Sequence, residues 1–257
     1  RLCRDWSSDV CSSDLMIWKR LSSVERHVWL KPLLEMEWRK MRRYEAAACR
    51  RAKLTVAVSG QDRGMLEENA PGAVVCEIPT GVDIRYFAPN GGSGDPVRLV
   101  FTGSMDWHPN EDAILYFIKE MLPAIRRQVP DVELTVVGRN PGTYLRQVAR
   151  EAGVSVTGTV DDVRPYMDTA SVYIVPLRIG GGTRLKIFEA LAMGKAVVST
   201  SVGAEGLPLA AGEHFLCADE PEDFAAAVVG LLRDPAMCAR LGQAGRQLTQ
   251  ERYAWPQ

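Results

Sequence analysis

Between Pro176 and Thr200 the chain reads PLRIGGGTRLKIFEALAMGKAVVST. The order is an apolar strand, three glycines, a hydroxyl, two cations, a carboxylate and a second apolar strand. Consecutive glycines let backbone N–H groups turn toward an anion without obstruction by Cβ. Thr183 is placed to cap the following helix, whose first N–H groups favour phosphate. Gly181 and Gly182 bring backbone to the same point, while Arg184 and Lys186 add forked and mobile positive charge. Glu189, five residues past Arg184, stands about one and a half turns into that helix. A carboxylate there is suited to accept two hydroxyl hydrogen bonds from a ribose or a sugar. The ligand this order fits carries phosphates at one end and hydroxyls nearby. A glycine turn with solvated charges is the plain alternative.

A second cluster is FTGSMDWHPNEDA, residues 101–113. Gly103 permits close backbone approach, Ser104 offers a hydroxyl to phosphate, and Asn110 is expected to cap the next helix. His108 is either a donor near developing charge or a turn residue beside Trp107. A third stretch, VTGTVDDVRPYM, offers backbone to a nucleobase edge, with Val160 or Tyr166 packing on the ring. Asp161 and Asp162 there are equally turn and cap residues. Other chemistries find no support. A single histidine without a partner is no triad, and His27, His108 and His214 lack zinc-ligand spacing. No metal site is expected. The glycine fingerprint of dinucleotide binding is absent after the first strand of the repeat, and GGGTRLK lacks the ending of a P-loop.

These loops need a scaffold, and the apolar rhythm supplies one. Residues 29–52 read as a helix, 53–59 as a strand, 61–69 as a short helix and 73–79 as a strand. A Gly-, Pro- and Asn-rich connection follows. From there strands (97–103, 131–138, 154–158, 171–177, 195–200, 214–218) alternate with helices (110–129, 143–152, 162–169, 184–193, 221–232, 237–251). Alternation with fully apolar strands argues an α/β fold, a parallel sheet covered on both faces. Right-handed crossovers make residues 96–234 a doubly wound, Rossmann-like unit. In such sheets ligands bind outside the carboxyl ends of the strands. That rule selects the loops 103–110, 138–142, 158–162, 176–184 and 200–206.

The 257 residues carry a formal charge of −1 and are 46 % hydrophobic, enough for a proper core. The near-neutral charge argues weakly against nucleic acid. It hides a split, because residues 16–53 hold 11 Lys/Arg against 4 Asp/Glu. That basic piece is either an ordinary solvated helix face or a contact for an anionic membrane surface or acidic ligand. Six cysteines without metal-like spacing suggest free thiols in a reducing compartment. No apolar run is long enough to span a membrane. A cytoplasmic location follows by default. Residues 1–15, RLCRDWSSDVCSSDL, lack any apolar period and resemble translated sequencing-adapter read-through. They are set aside from fold reasoning.

Residues 44–257 resemble the retaining glycosyltransferases of the large bacterial group 1 family, which share the two-domain GT-B architecture. The resemblance rests on GSMDWHPNEDA, on PLRIGGGTRLKIFEALAMGKAVVST, on GAEGL and on IPTGVDIRYFAP, in that family's order and spacing. It implies a C-terminal donor-binding domain over 96–257, an interdomain linker over 80–95, and a remnant of the acceptor-side domain over 16–79. It implies sugar transfer with retention from a nucleotide-diphosphate sugar to a hydroxyl acceptor, glycan or lipid-linked, in cell-envelope polysaccharide synthesis. No further cofactor is implied. Glu189 becomes the ribose-binding carboxylate of a paired-glutamate motif whose other member falls at Gly181. Relatives place Arg and Lys in the first loop, where Ser104 and Pro109 stand here. Phosphate neutralisation then leans on Lys186, Arg184 or Arg178, with Lys186 first, and His108 remains a donor-activating candidate. No acid/base pair is assigned. The resemblance also implies a chain truncated at both ends, able to bind donor weakly and not to catalyse transfer alone. Two other readings stand beside it: a non-catalytic nucleotide-sugar or glycan-binding module, and a nucleotide-sugar epimerase on the same fold.

Overall fold

The computed structural model describes residues 12–25, 27–91, 95–181 and 184–255. It divides into two compact units, residues 1–79 with 179–183, and residues 80–178 with 184–257. The first unit holds helices α1 (Ser12–Val24) and α2 (Lys31–Arg51), strand β1 (Thr55–Ala57), helix α3 (Gly60–Asn69) and strand β2 (Val75–Glu77). Helix α1 begins inside the opening segment that shows no apolar period, and Leu15 is buried. Residues 1–11 lie outside the described residues. Ser59 caps α3 by accepting the backbone N–H of Asp62, as a serine in extended conformation before a helix should. Strands β1 and β2 pair in parallel. Ala57 and Val75 pack from them onto Ala46 and Cys49 of α2, Leu66 of α3 and Ala70 just after it.

The second unit is built on six parallel strands. In chain order they are β3 (Asp95–Thr102), β4 (Glu133–Val137), β5 (Ser155–Val156), β6 (Ala170–Val175), β7 (Ala196–Ser199) and β8 (Leu216–Cys217). In space the order is β5-β4-β3-β6-β7-β8. The chain winds outward from β3 in one direction, then returns to β6 beside β3 and winds outward in the other. The strand order therefore reverses between β3 and β6, and a crevice opens at their carboxyl ends.

Helices cover both faces, as the unbroken apolar runs of β3 and β6 require. One face buries Phe101, Ile174 and Val198 against α4 (His108–Tyr116), α5 (Leu122–Gln128), α6 (Thr143–Glu151) and α9 (Pro221–Arg233). The other buries Val100, Tyr173 and Val197 against α7 (Arg164–Thr169) and α8 (Leu185–Ala192). Each such large apolar side chain contributes about 1.5–3 kcal/mol relative to exposure. Ala113, Phe117, Met121 and Ile125 all face the core, as their spacing predicts. The helix carrying them is not uniform: residues 117–121 form a wider π turn between α4 and α5. Pro123 follows directly, and its missing N–H leaves the carbonyl of Lys119 without its helical partner. Helix α10 (Pro235–Arg252) closes the chain. Its end returns to the GVD segment, where Val82 N–H donates to Tyr253 O at 2.7 Å and Trp255 N–H donates to Val82 O at 3.2 Å. A Cβ on Gly81 would lie 2.8 Å from Tyr253 O, so only glycine lets the two segments meet. Among the described residues, no helix is long and apolar enough to cross a membrane.

Candidate donor site at the strand-order reversal

The site grows from the ends of β3 and β4. Gly103 N–H donates to Val137 O at 2.9 Å, and Met105 N–H to Arg139 O at 2.9 Å, lacing the two loops together. Gly138 lies so close beneath Gly103 that a Cβ there would fall 1.7 Å from Gly103 O. A Cβ on Gly103 would in turn sit 2.7 Å from Lys186 Nζ and 2.9 Å from Asn110 Nδ2. Gly138 thus lets the two loops meet, and Gly103 makes room for the lysine.

Lys186, in the first turn of α8, donates to Asn110 Oδ1 at 2.8 Å and lies 4.1 Å over the Phe101 ring. Asn110 is held for this by its own Nδ2, which donates to Ser104 O at 2.8 Å. Burial pushes the Lys186 pKa down to about 7, helped by the positive charge of Arg184 and opposed by Glu189. Burial raises the carboxyl of Glu189 above its usual range, while Lys186 pulls it back. Among the described residues no donor reaches the Glu189 carboxylate with a hydrogen bond. A half-buried cation with one acceptor and a half-buried carboxylate without a donor therefore sit one helical turn apart, on one face of α8. An arriving anion would stabilise the ammonium, and an arriving hydroxyl would donate to the carboxylate.

The remaining expected residues are distributed around this centre. Ser104 is tied into the first loop, donating to Asp106 and accepting from Arg139 Nε at 2.7 Å. Arg178 forks onto Asp112 at 2.6 and 3.2 Å and lies 4.0 Å over the Tyr116 ring, so its charge is already matched. Arg184 is the residue preceding α8, and half-buried. Gly181 is buried, and it groups with the first unit. Gly182 and Thr183, with the cap expected of Thr183, lie outside the described residues. His108 opens α4 and is exposed. Val160 and Tyr166 are half-buried and pack against the core on the α7–α8 face. Asp162 accepts the Arg164 N–H and forks with its guanidinium, the turn-and-cap role open to it.

One expectation is corrected. Asn110 does not cap α4, because the helix starts at His108, with Trp107 as the residue before it. Pro109 pre-sets the helical φ and needs no N–H in the first turn, which draws the start forward. Asn110 is freed to serve Lys186. Sequence reasoning also passed over Arg139 and Asn140. The rule selecting strand-end loops includes theirs, but nothing in the sequence shows that Arg139 reaches Ser104 or that Asn140 Nδ2 donates to Asp106 at 2.9 Å. Among the described residues no group of three or more His, Cys, Asp or Glu is placed to hold a metal ion.

With this geometry in view, known proteins can be compared. The family model for glycosyl transferases group 1 matches residues 96–234, more than half of the chain. The chain belongs to that family. Phosphatidyl-myo-inositol mannosyltransferase of Mycolicibacterium smegmatis is 33 % identical over 211 residues, 78 % of this chain and 53 % of that protein. The chain thus spans about half the length of the curated relatives it matches. HepE from Anabaena, solved with UDP-glucose, superposes with a TM-score of 0.67 at 16 % identity, over 84 % of this chain and 64 % of HepE. The C-terminal domain of LpcC, a group 1 glycosyl transferase of Francisella tularensis, is covered in full by 68 % of this chain, at TM-score 0.54 and 17 % identity. These likenesses place the fold among GT-B glycosyltransferases.

Proposed function

We propose that the protein to which this chain belongs transfers a sugar, with retention of anomeric configuration, from a nucleotide-diphosphate sugar to a hydroxyl acceptor. The observation that carries this reading is the Lys186–Asn110–Gly103 contact at the reversal of strand order, beside Glu189, whose carboxylate has no hydrogen-bond donor among the described residues. Lys186 meets the diphosphate, and the Gly103 loop brings backbone close to it. Glu189 accepts from a ribose or sugar diol. Charge developing on the leaving diphosphate is stabilised by a cation fixed before the reaction begins, which is electrostatic preorganisation. Arg184 joins Lys186 at the diphosphate end of the donor, with Val160 and Tyr166 toward the base. Arg178, neutralised by Asp112, positions α4 rather than meeting phosphate.

Residues 96–257 form the donor half in this reading, 80–95 the linker, and 16–79 part of the acceptor-side half. The mannosyltransferase relative is named for a phosphatidylinositol acceptor, which supports a lipid-linked acceptor here. The basic stretch 16–53 fits work at the cytoplasmic face of a membrane. Calorimetric titration with a panel of UDP- and GDP-sugars tests the donor half directly. Binding by the chain, lost in Lys186→Ala and weakened in Glu189→Ala, is the expected result. Undiminished affinity in both variants would remove the basis of the proposal. Anomeric analysis of the product checks retention.

A further inference from the structure

Beneath the crevice, on the face of the sheet that α8 covers, two buried hydroxyls meet. Side chains alternate along a strand, so Val100 and Thr102 of β3 share one face. Val100 packs there with Ile187 and Phe188 of α8. Tyr173 of β6 is the register partner of Val100 and belongs to the same layer. It is fully buried, and its hydroxyl lies 2.5 Å from Thr102 Oγ1. Thr102 is buried as well, one residue before Gly103. A buried hydroxyl is costly unless its proton finds an acceptor. Here the count does not close. Two hydroxyls carry two protons, and their mutual bond uses one. Among the described residues neither oxygen makes a second side-chain hydrogen bond. One donor is therefore spare, one residue below the backbone that makes room for Lys186. Burial raises the Tyr173 pKa, the Thr102 hydroxyl opposes the rise, and the Glu189 carboxylate adds to it. The charge that the Tyr173 hydroxyl senses is thus the one carboxylate of α8, which lacks a donor among the described residues.

We propose that Tyr173 is a positioning residue for Glu189: as the donor binds, Thr102 donates to the Tyr173 hydroxyl, and that hydroxyl donates to the inner side of the carboxylate. This rests on the reading of Glu189 as the acceptor for a ribose diol. Glu189 and Tyr173 are not hydrogen-bonded to each other in the structure, so the contact is one that the arriving diol completes by turning the carboxylate. An ionised carboxylate has two oxygens and about four acceptor sites, so one donor from beneath leaves room for both hydroxyls of a diol. A protonated carboxyl would give up part of that capacity. Burial already pushes Glu189 toward the protonated form, and Lys186 pulls it back. A hydrogen bond from Tyr173 favours the charged form in the same sense as Lys186 does. The cation thus serves the diphosphate from one side of the crevice, while the buried hydroxyl pair readies the acid for the ring hydroxyls from below.

Calorimetric titration with UDP and GDP, and with their dideoxyribose counterparts, tests this in four proteins: the parent chain, Tyr173→Phe, Glu189→Gln and the double variant. Tyr173→Phe keeps the ring and its packing, and it should weaken the ribose nucleotide about tenfold, the loss of one hydrogen bond to a charged group. The dideoxy form gives Glu189 nothing to accept, and its affinity should change less than about twofold. In the Glu189→Gln background the loss of the Tyr173 hydroxyl should likewise cost less than about twofold, because the coupled partner is gone. Thr102→Val should show the same preference for harming the ribose form at about threefold, and Thr102→Ser should restore it. A pair that only ties β3 to β6 would behave differently. Its removal would lower the melting temperature and weaken both nucleotides equally, with or without Glu189, and that result would overturn the proposal. So would parental affinity for the ribose form in Tyr173→Phe. Equal binding of ribose and dideoxy forms by the parent chain would instead remove the role of Glu189 on which the proposal rests. Absence of any nucleotide binding by the parent chain would remove the donor-site reading itself.

Discussion

Helix α8 is bracketed by two lysines whose surroundings differ. Lys195, just beyond its end, is buried and donates to Asp168 O at 2.8 Å and Ala170 O at 3.1 Å. Lys186, in its first turn, has Asn110 Oδ1 as its acceptor among the described residues, and a ring beneath it. Burial holds both below the usual lysine range. A buried cation with two of its three N–H groups held by backbone carbonyls is part of the scaffold. One left with two spare donors, beside a carboxylate that no donor reaches among the described residues, is arranged for something that arrives. The comparison separates two roles that residue type and burial alone do not distinguish.

The sharpest way to break it is to truncate each lysine. Lys186→Ala should weaken donor binding about a hundredfold, the loss of one or two charge-assisted hydrogen bonds at roughly 1.5–3 kcal/mol each. Its melting temperature should stay level or rise, because a desolvated charge is removed. Lys195→Ala should do the reverse. Two buried carbonyls lose their partner, lowering the unfolding free energy by about 2–4 kcal/mol in urea titrations, with donor affinity of the folded fraction unchanged. If both variants lost binding and stability together, the division between scaffold and ligand cation would fail.

A smaller effect comes from pH. With a pKa near 7 in the free protein, Lys186 is charged below neutrality and largely neutral above it. A bound diphosphate favours the charged form and raises that pKa. Donor affinity is therefore full below pH 7 and falls as pH rises through and above it. The decline is up to about tenfold per unit, until the pKa of the complex is passed. Lys186→Arg, which stays charged, should flatten the curve between pH 7 and 9. Isothermal titration at several pH values reads both slopes. A wild-type curve as flat as the arginine variant's would show that Lys186 does not carry the donor's charge.

How much of this was legible beforehand follows from the range of each interaction. Strand and helix identities in the second unit came from local periodicity, because strands such as YIV are apolar throughout and their helices are apolar on one face. The loops followed from the strand-end rule. The nearest-neighbour details did not, since they join residues far apart in the chain. Asn110 reaches Lys186 across 76 positions and Arg139 reaches Ser104 across 35. A capping role for Asn110 was the natural local reading, and Pro109 displaced it by starting the helix two residues sooner. The exposure of Leu54 and Val56 was equally hidden, because LTVAVS reads as a buried strand.

The finest test concerns Arg139. It is mostly exposed, with its Nε on Ser104 Oγ and a long 3.9 Å approach to Asp106. An exposed pair of this kind contributes little to stability. Its value to the site would be positional, holding the Ser104 loop against the β4 loop while keeping positive charge near the crevice. Arg139→Ala should then weaken donor binding about threefold, with a melting temperature within a degree or two of the parent. Arg139→Lys separates the two contributions, because lysine keeps the charge but cannot reproduce the guanidinium fork. Recovery in Arg139→Lys that fades as salt rises would mark long-range charge as the cause. Failure to recover would mark the tether to Ser104. No change in either variant would confine the donor's charge partners to α8 and its approach, leaving Lys186 as the cation on which the crevice depends.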